Sequence, residues 1–369
     1  MREQKGPRFE ELEPRVLMSA DETFGHPMYG SVKTPYFSAK GFDNGSWEYT
    51  DGKLSIDIEG TTSKSSVKVS KVVVMGDVSV NGDLKSFSAS KADVGGEISI
   101  IGHVESFTLE DILNGANVGI DSADKVSLSG GIDAGQLSIY DGYTKSISVK
   151  GSIRNSEVEA FYLGKVTFGY VQDSVLFSET EGVGASFNSR GNIQGSDLGK
   201  FVSYSIKGSL IDSTSNLPSY VKSFNVSGSM LNTKIFGDEN NTYFQKLSVK
   251  SGIFDSQILI QYDAGADDVY GNEDDNGFMQ EGSGYIESLK AGYINNSYIV
   301  SFALSEVKFG GVQRDNLGVK YGIFVNDADS LISRGAVKIG KTKYSSPIGD
   351  FVVEDAGKLG RPPPEPPPF

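Results

Sequence analysis

The stretch "KSISVKGSIRNSEVE", residues 145–159, decides the fold of this chain. Successive side chains of a β-strand point to opposite faces, so Ile147 and Val149 are predicted to face inward while the Ser and Lys residues between them face water. The same alternation returns at 201–213 as "FVSYSIKGSLIDS" and at 221–235 as "VKSFNVSGSMLNTKI". The pattern therefore predicts short strands that repeat along the chain.

Each repeat also carries two predicted corners. Gly151 marks the first, where a positive φ or a close contact excludes larger residues. Asn155 marks the second, because Asn and Asp tolerate the left-handed backbone region. The glycines at equivalent positions are Gly130, Gly169, Gly208, Gly228, Gly252, Gly292 and Gly310. The equivalent Asn and Asp residues are Asp212, Asn232, Asp255 and Asn295.

The spacing of these glycines indicates one coil of a solenoid. Successive markers lie 18 to 24 residues apart, apart from two steps of about 40 residues that hold an extra coil or an inserted loop. A period near 20 residues is typical of a parallel β-helix. We therefore predict an all-β chain: a single right-handed parallel β-helix with about 20-residue rungs and terminal caps. The alternative is an antiparallel sandwich with Ser-rich strands.

The rest of the chain divides around these repeats. We expect an N-terminal segment, a cap that protects the open sheet edges, the β-helix with an insertion loop at 262–284, C-terminal strands or a second cap, and an extended Pro-rich tail. Their boundaries are 1–20, 21–60, 61–320, 321–358 and 359–369.

Composition excludes several classes of protein. The 34 basic and 48 acidic residues give a net charge of −14, which argues against a nucleic-acid partner. The chain has no cysteine, so disulfides and thiolate metal sites are excluded. No apolar stretch is long enough to predict a transmembrane span.

The insertion loop contains the best candidate for a metal site. "YDAGADDVYGNEDDN", residues 262–276, is rich in carboxylates that repel one another unless they are solvated or neutralised. A hard cation with oxygen ligands neutralises such a set, and Ca²⁺ is the candidate. We expect no other cofactor. The candidate ligands are Asp263, Asp267, Asp268, Asp274 and Asp275. The alternative is a solvated acidic loop that binds nothing specific.

Catalytic signatures are scarce. Only His26 and His103 occur, and neither has a partner at metal-ligand spacing. We therefore expect no enzyme, with a carbohydrate-active β-helix enzyme as the alternative. A set of aromatic residues either stacks on sugar rings along one face or packs between rungs. This set comprises Tyr140, Tyr143, Phe161, Tyr162 and Tyr170.

The N-terminal stretch "LEPRVLMSAD", Leu12 to Asp21, resembles the LEPR-XLL segment of large, repetitive bacterial proteins. The four residues Leu12, Glu13, Pro14 and Arg15 match, and Leu17 follows, whereas Met18 stands where Leu is typical. The resemblance implies a sorting or export segment of a surface-associated protein. It covers about a dozen residues of the chain.

Together these features predict an exported bacterial protein at the cell surface or outside the cell. Its expected function is structural or adhesive: a rigid side face contacts an envelope or extracellular protein or a polysaccharide. The alternative is a polysaccharide lyase or hydrolase.

Overall fold

A computed structural model describes residues 24–70, 74–177, 184–237, 242–260 and 284–356, together with the short pairs 262–263 and 277–278. The predicted sorting segment (1–20), the Pro-rich tail (359–369) and most of the insertion loop lie outside the described residues.

The chain is a β-solenoid of about 12 turns with a spacing of about 20 residues, and 68% of it is strand. The predicted class of fold is therefore confirmed. The first strands are β1 Phe24–Lys33, β2 Phe37–Thr50, β3 Lys53–Thr61, β4 Ser66–Val69, β5 Val74–Gly82, β6 Leu84–Ala89, β7 Asp93–Val94, β8 Glu97–Leu109, β9 Asn117–Ala123, β10 Lys125–Leu128, β11 Ile132–Asp133, β12 Gln136–Arg154, β13 Glu157–Gln172 and β14 Val175–Leu176.

The next strands are β15 Ser186–Ser189, β16 Ile193–Gln194, β17 Asp197–Leu198, β18 Ser203–Ile206, β19 Leu210–Ile211, β20 Thr214–Asn216, β21 Tyr220–Val221, β22 Ser223–Val226, β23 Ser229–Leu231, β24 Lys234–Phe236, β25 Tyr243–Val249, β26 Gly252–Phe254 and β27 Gln257–Ile260. The last elements are β28 Tyr262–Asp263, β29 Gly277–Phe278, β30 Tyr285–Asn295, β31 Tyr298–Ser301, β32 Ala303–Val312, β33 Tyr321–Val325, α1 Ala328–Ser333, β34 Val337–Ile339, β35 Thr342–Lys343 and β36 Phe351–Asp355.

Strand pairing changes from antiparallel to parallel near the N-terminal end. Strands β1, β2 and β3 pair antiparallel, whereas β3 pairs with β5 in parallel. Parallel pairing then continues from turn to turn as far as β33 with β36. Each turn therefore hydrogen-bonds to the turns before and after it.

Alternate residues of the strands build the core. Ile147 and Val149 are 1% exposed, and they stack on Val126 and Leu128 of the preceding turn and on Val166 and Phe168 of the next. The outward positions of these strands carry mainly Ser, Thr, Asn and Lys, and we call this side the serine face. Its strand segments are 84–89, 104–109, 125–128, 144–149, 163–168, 186–189, 203–206, 223–226, 244–249, 286–291 and 304–309.

The glycine corner has a different physical basis from the predicted one. Gly151, Gly169 and Gly292 do not have a positive φ. A Cβ at Gly169 would lie 2.2 Å from the carbonyl oxygen of Gly151, and one at Gly292 would lie 2.3 Å from that of Lys250. The glycines are required because successive turns approach closely here, so the expectation of a positive φ was wrong and that of a steric clash was correct.

The second corner adopts the predicted left-handed conformation. The φ angles of Asn155, Asp212, Asn232 and Asp255 lie between 45° and 49°. In the later turn Asn296 takes this conformation, with φ of 39°, so the choice of Asn295 was wrong by one residue. The side chains also form a ladder, because the Asn232 amide donates to Asp212 Oδ1 at 2.9 Å.

A ladder of buried serines follows this corner. Ser174 Oγ donates to the carbonyl of Gln172 at 2.6 Å and accepts from the Ser156 N–H at 3.3 Å. The same arrangement recurs at Ser196, Ser213 and Ser256. These hydroxyls satisfy buried backbone groups that the corner leaves without a strand partner.

The two long glycine steps have different causes. Between Gly169 and Gly208 lies one extra coil, formed by β15, β16 and β17. Between Gly252 and Gly292 no coil is added, because β25 pairs directly with β30. Strand β27 ends at Ile260, and β30 begins at Tyr285 in register with β25.

Candidate functional site

The candidate site lies on the face formed by β8, β9, β12 and β13, whose strand segments are 97–101, 117–121, 136–140 and 157–161. We call it the groove face. On β13, Glu157, Glu159 and Phe161 point outward while Val158 and Ala160 pack in the core. The outward residues of the preceding turn are Gln136, Ser138 and Tyr140, because Gln136 pairs with Glu157 and Ser138 pairs with Glu159.

Four aromatic side chains form the edge of this face, and we call them the aromatic rim. Tyr140 is 64% exposed, Tyr143 58%, Tyr162 47% and Phe161 38%. A register shift in β12 between Ile139 and Tyr143 turns Tyr140 outward at the corner towards the serine face. The burial of these rings between turns, one of the two expectations from sequence, therefore does not occur.

Two glycines give the tyrosines of the rim their positions. A Cβ at Gly119 would lie 2.9 Å from Tyr140 Oη and 3.1 Å from its Cε2, so the ring extends over the preceding turn. A Cβ at Gly164 would lie 2.6 Å from Tyr143 Oη, so this ring extends over the following turn. Any larger residue at either glycine would meet the ring.

The rings of the rim are largely available to a ligand. Phe161 and Tyr162 pack edge to face, with centroids 4.7 Å apart and planes at 90°. Within the described part of the chain, neither Tyr140 nor Tyr143 contacts another aromatic ring. Exposed aromatic side chains that are grouped at one corner are a candidate binding surface.

Polar side chains form the floor beside the rim. The Gln136 amide donates to Glu157 Oε2 at 3.2 Å, and Ser138 Oγ donates to Glu159 Oε2 at 3.3 Å. These bonds between turns fix the carboxylates on a rigid sheet. Fixed carboxylate and amide oxygens are acceptors and donors for the hydroxyl groups of a ligand.

The floor continues into recesses on both sides. Towards the N-terminal end a recess of about 690 Å³ is lined by Trp47, Asp57, Asp77 and Glu97, among others. Asp77 Oδ1 accepts from the Glu97 N–H at 2.9 Å, which fixes this carboxylate across two turns. In the other direction a recess of about 540 Å³ includes Gln136 and Glu157. The groove therefore runs parallel to the solenoid axis.

A third recess, of about 340 Å³, brings together three carboxylates: Asp173, Asp197 and Asp212. Burial raises the pKa of Asp197, which lies at the start of β17, and the hydrogen bond from Leu198 opposes the shift only in part. Asp197 Oδ1 is buried and accepts no hydrogen bond from the described residues. Asp173 and Asp212 occupy the left-handed corner of the turns before and after that of Asp197.

Most residues singled out from the sequence as candidate sites lie elsewhere. The sorting residues Leu12, Glu13, Pro14, Arg15 and Leu17 lie outside the described residues. The same holds for Asp267, Asp268, Asp274 and Asp275, and for the side chain of Asp263, whose backbone pairs with Gly277. Among the described residues, no group of three or more His, Asp or Glu is placed to hold a metal ion.

Two other sequence candidates have structural positions. Tyr170 is half-buried on a different side of the solenoid, where its hydroxyl contacts the side chains of Gln172 and Gln194. His103 lies at a corner, with Nδ1 3.0 Å from Ser122 Oγ. Neither residue belongs to the groove face.

No protein-family model, curated protein or solved structure matches the chain. The resemblance of the N-terminal segment to the LEPR-XLL family therefore stays a prediction. In the described residues, no helix has the length and apolar character needed to cross a membrane.

Proposed function

We propose that the protein is a non-catalytic, exported or cell-surface solenoid that binds a polysaccharide along the groove face. The aromatic rim beside the polar floor is the observation that carries this proposal. Rings of Tyr and Phe stack on the apolar faces of sugar rings, and the adjacent oxygens and amide accept and donate hydrogen bonds to sugar hydroxyls. A site of this kind combines both types of contact within two turns.

The geometry of the solenoid favours a polymer over a small molecule. Equivalent positions recur in every turn, about 4.8 Å apart, so a ligand with its own linear repeat can extend along the axis from turn to turn. The recesses extend from Trp47 near the N-terminal end to Asp212. Rigidity also helps, because a preformed surface loses little conformational entropy on binding.

The experiment is glycan-array binding followed by affinity electrophoresis in the polysaccharides that score. The double variant Tyr143→Ala/Tyr162→Ala should weaken binding about tenfold or more, since exposed aromatic anchors carry a large share of binding energy. Tyr220→Ala is the matched control, because Tyr220 is also exposed (43%) but its ring stacks on Tyr243. The control should bind as the wild type does.

Two results would contradict the proposal. One is wild-type protein that binds no glycan on the array. The other is equal loss of binding in the control and in the double variant. Export is tested separately by cell fractionation with intact-mass measurement, which also shows whether residues 1 to about 20 are retained.

Glycoside hydrolysis is the second candidate, and the recess around Asp197 favours it. A glycosidase needs one carboxylic acid with a raised pKa and a second carboxylate nearby, and burial raises the pKa of Asp197 between Asp173 and Asp212. Reducing ends released from a bound polysaccharide by the wild type, but not by Asp197→Asn, would favour this candidate. Absence of release would reject it.

A further inference from the structure

We infer that the serine face carries a second binding surface, which takes a linear polysaccharide with carboxylate or sulfate groups. The surface consists of six consecutive turns, and the inference does not depend on a ligand at the groove face. It includes the strand segments of the serine face and the residues directly beside them, and we call it the basic strip. Its segments are 145–150, 164–169, 185–190, 202–207, 222–227 and 245–250.

The charge of the basic strip is opposite to that of the whole chain. In every segment the third and fifth residues are buried, so the other four positions belong to the outer side. The six segments contain eight exposed basic residues and no Asp or Glu, although the chain has a net charge of −14. A local reversal of charge on an acidic protein attracts a negatively charged partner to that surface.

The basic residues form two columns that run along the solenoid axis, and every turn contributes at least one of them. The sixth position of the segments carries Lys150, Arg190, Lys207 and Lys250. The first or second position carries Lys145, Lys165, Lys222 and Lys246. The fourth position, which lies between the columns, is Ser, Thr or Asn in every segment. Six turns extend about 24 Å along the axis, so a linear polymer would contact several cations at once.

Most of these cations have no partner of opposite charge. Lys145 pairs with Asp124 at 2.8 Å, and among the described residues the other seven form no ion pair. Arg190 and Lys207 lie opposite each other in neighbouring turns, because the Lys207 N–H donates to the Ser189 carbonyl at 3.0 Å. Like charges at opposite positions of a sheet repel each other. An anionic group bound between these two side chains would remove the repulsion.

The chemistry of the strip favours a polysaccharide over a membrane or a nucleic acid. Ala185 and Val202 are the only apolar side chains at its outer positions, so no large apolar group would insert into lipid. None of these positions is aromatic, so the strip offers no ring on which an unpaired base stacks, and the net charge opposes duplex DNA. Arginine and lysine pair with carboxylate or sulfate, and the hydroxyl and amide groups between them hydrogen-bond to sugar hydroxyls.

The test measures the binding of polygalacturonate and dextran sulfate by isothermal titration calorimetry. Wild-type protein should bind both polymers, and the affinity should fall at least about tenfold between about 0.05 M and about 0.5 M salt. Arg190→Gln/Lys207→Gln should weaken binding of both polymers about tenfold, because it removes two adjacent cations from one column. Lys150→Gln/Lys250→Gln, at the ends of the same column, should also weaken binding.

Lys341→Gln/Lys343→Gln is the matched control, because it removes the same charge from exposed lysines near the C-terminal end. It should bind both polymers as the wild type does, and thermal unfolding should confirm that all the variants are folded. Three results would overturn the inference: no binding of either anionic polymer, equal loss in the control and the strip variants, or tighter binding of phosphatidylglycerol vesicles or duplex DNA. Neutral glycans that bind the groove face should bind Arg190→Gln/Lys207→Gln as they bind the wild type, so the proposed function is tested separately.

Discussion

Tyrosines occupy one column of the solenoid in two regions that differ in what their rings contact. Tyr143 pairs in register with Tyr162, and Tyr220 pairs with Tyr243, which pairs with Tyr285. Each of these tyrosines directly precedes a buried residue, and these residues are Thr144, Leu163, Val221, Phe244 and Ile286. Sequence position within the repeat is therefore the same in both regions.

In the second region the rings contact one another. The centroids of Tyr220 and Tyr243 are 5.8 Å apart with planes at 4°, and those of Tyr243 and Tyr285 are 5.4 Å apart at 16°. The Tyr243 hydroxyl donates to Glu287 Oε2 at 2.7 Å. The faces of these rings contact the tyrosine ring of the next turn. Mainly the ring edges therefore remain available to a ligand.

In the first region the rings of Tyr140 and Tyr143 extend over Gly119 and Gly164, and these two tyrosines remain 64% and 58% exposed. Three consecutive tyrosines stack on one another, whereas Tyr143 extends towards Gly164 and Tyr140, at a neighbouring position, extends towards Gly119. The tyrosines beside these glycines are the ones that we propose for glycan recognition.

The largest effect is expected when Gly164 is replaced. A Cβ there would lie 2.5 Å from the carbonyl oxygen of Lys145 as well as 2.6 Å from Tyr143 Oη. Because Lys145 belongs to the sheet, Gly164→Val should separate two turns and destabilise the fold by about 3 kcal/mol. Urea unfolding measures this loss, and glycan binding should fall with it.

Gly119→Val is the matched control for this substitution. The atoms nearest to its Cβ would all belong to the side chain of Tyr140, at 2.9 Å and 3.1 Å, so the ring can move and stability should change by less than about 1 kcal/mol. Glycan binding should still weaken, because Tyr140 leaves its position over the turn. Equal loss of unfolding free energy in the two variants would contradict the expectation that a clash with the backbone destabilises more than a clash with a side chain.

A smaller effect, confined to alkaline pH, is expected in the stacked region. The hydrogen bond to Glu287 raises the pKa of Tyr243 to about 12. Since tyrosine in an unfolded chain titrates near pH 10, the stabilisation from this group is complete below about pH 10 and is lost as the pH rises through about 12. Tyr243→Phe should therefore lose less unfolding free energy than the wild type over this range.

Urea unfolding at a series of pH values checks this expectation. Burial also raises the pKa of Tyr298 to about 12, so the wild type loses stability at more than one site and only the difference between proteins reports on Tyr243. Glu287→Gln removes the same charge-assisted hydrogen bond and should reduce the alkaline loss in the same direction. Identical pH profiles for all three proteins would show that the bond does not contribute.

The sequence predicted the features that depend on local periodicity. Alternation in "SISVKG" placed Ile147 and Val149 in the core, and the tolerance of Asn155 for positive φ placed a corner. The conformation of the glycine corner was not predictable in this way. Whether Gly169 supplies a positive φ or a close approach depends on the carbonyl of Gly151, one turn away.

The candidate site depends still more on neighbouring turns. Tyr143 and Tyr220 each pair in register with a tyrosine of the next turn, Tyr162 and Tyr243, yet the Tyr143 hydroxyl lies over Gly164 whereas the Tyr220 ring stacks on Tyr243. A signal for the polar floor was present, because Glu157 and Glu159 alternate with the apolar Val158 and Ala160.

The smallest effect concerns the insertion between the last two stacked tyrosines. Strand β27 ends at Ile260 and β30 begins at Tyr285, and Tyr285 stacks on Tyr243. The calcium hypothesis for the acidic segment at 262–276 predicts a higher melting temperature in Ca²⁺ than in EDTA, with a gain of about 1 kcal/mol at a few times the dissociation constant.

The variant Asp267→Asn/Asp268→Asn separates the calcium hypothesis from the alternative of a solvated acidic loop. Under the calcium hypothesis it removes the difference between Ca²⁺ and EDTA, because two of the proposed carboxylate ligands lose their charge. For a solvated loop, wild type and variant melt at the same temperature in both buffers. The stack of Tyr220, Tyr243 and Tyr285 continues in register across the insertion. Calcium bound by the insertion would therefore stabilise the region around Tyr285. The aromatic rim lies in other turns, so it should bind glycan equally well in both buffers.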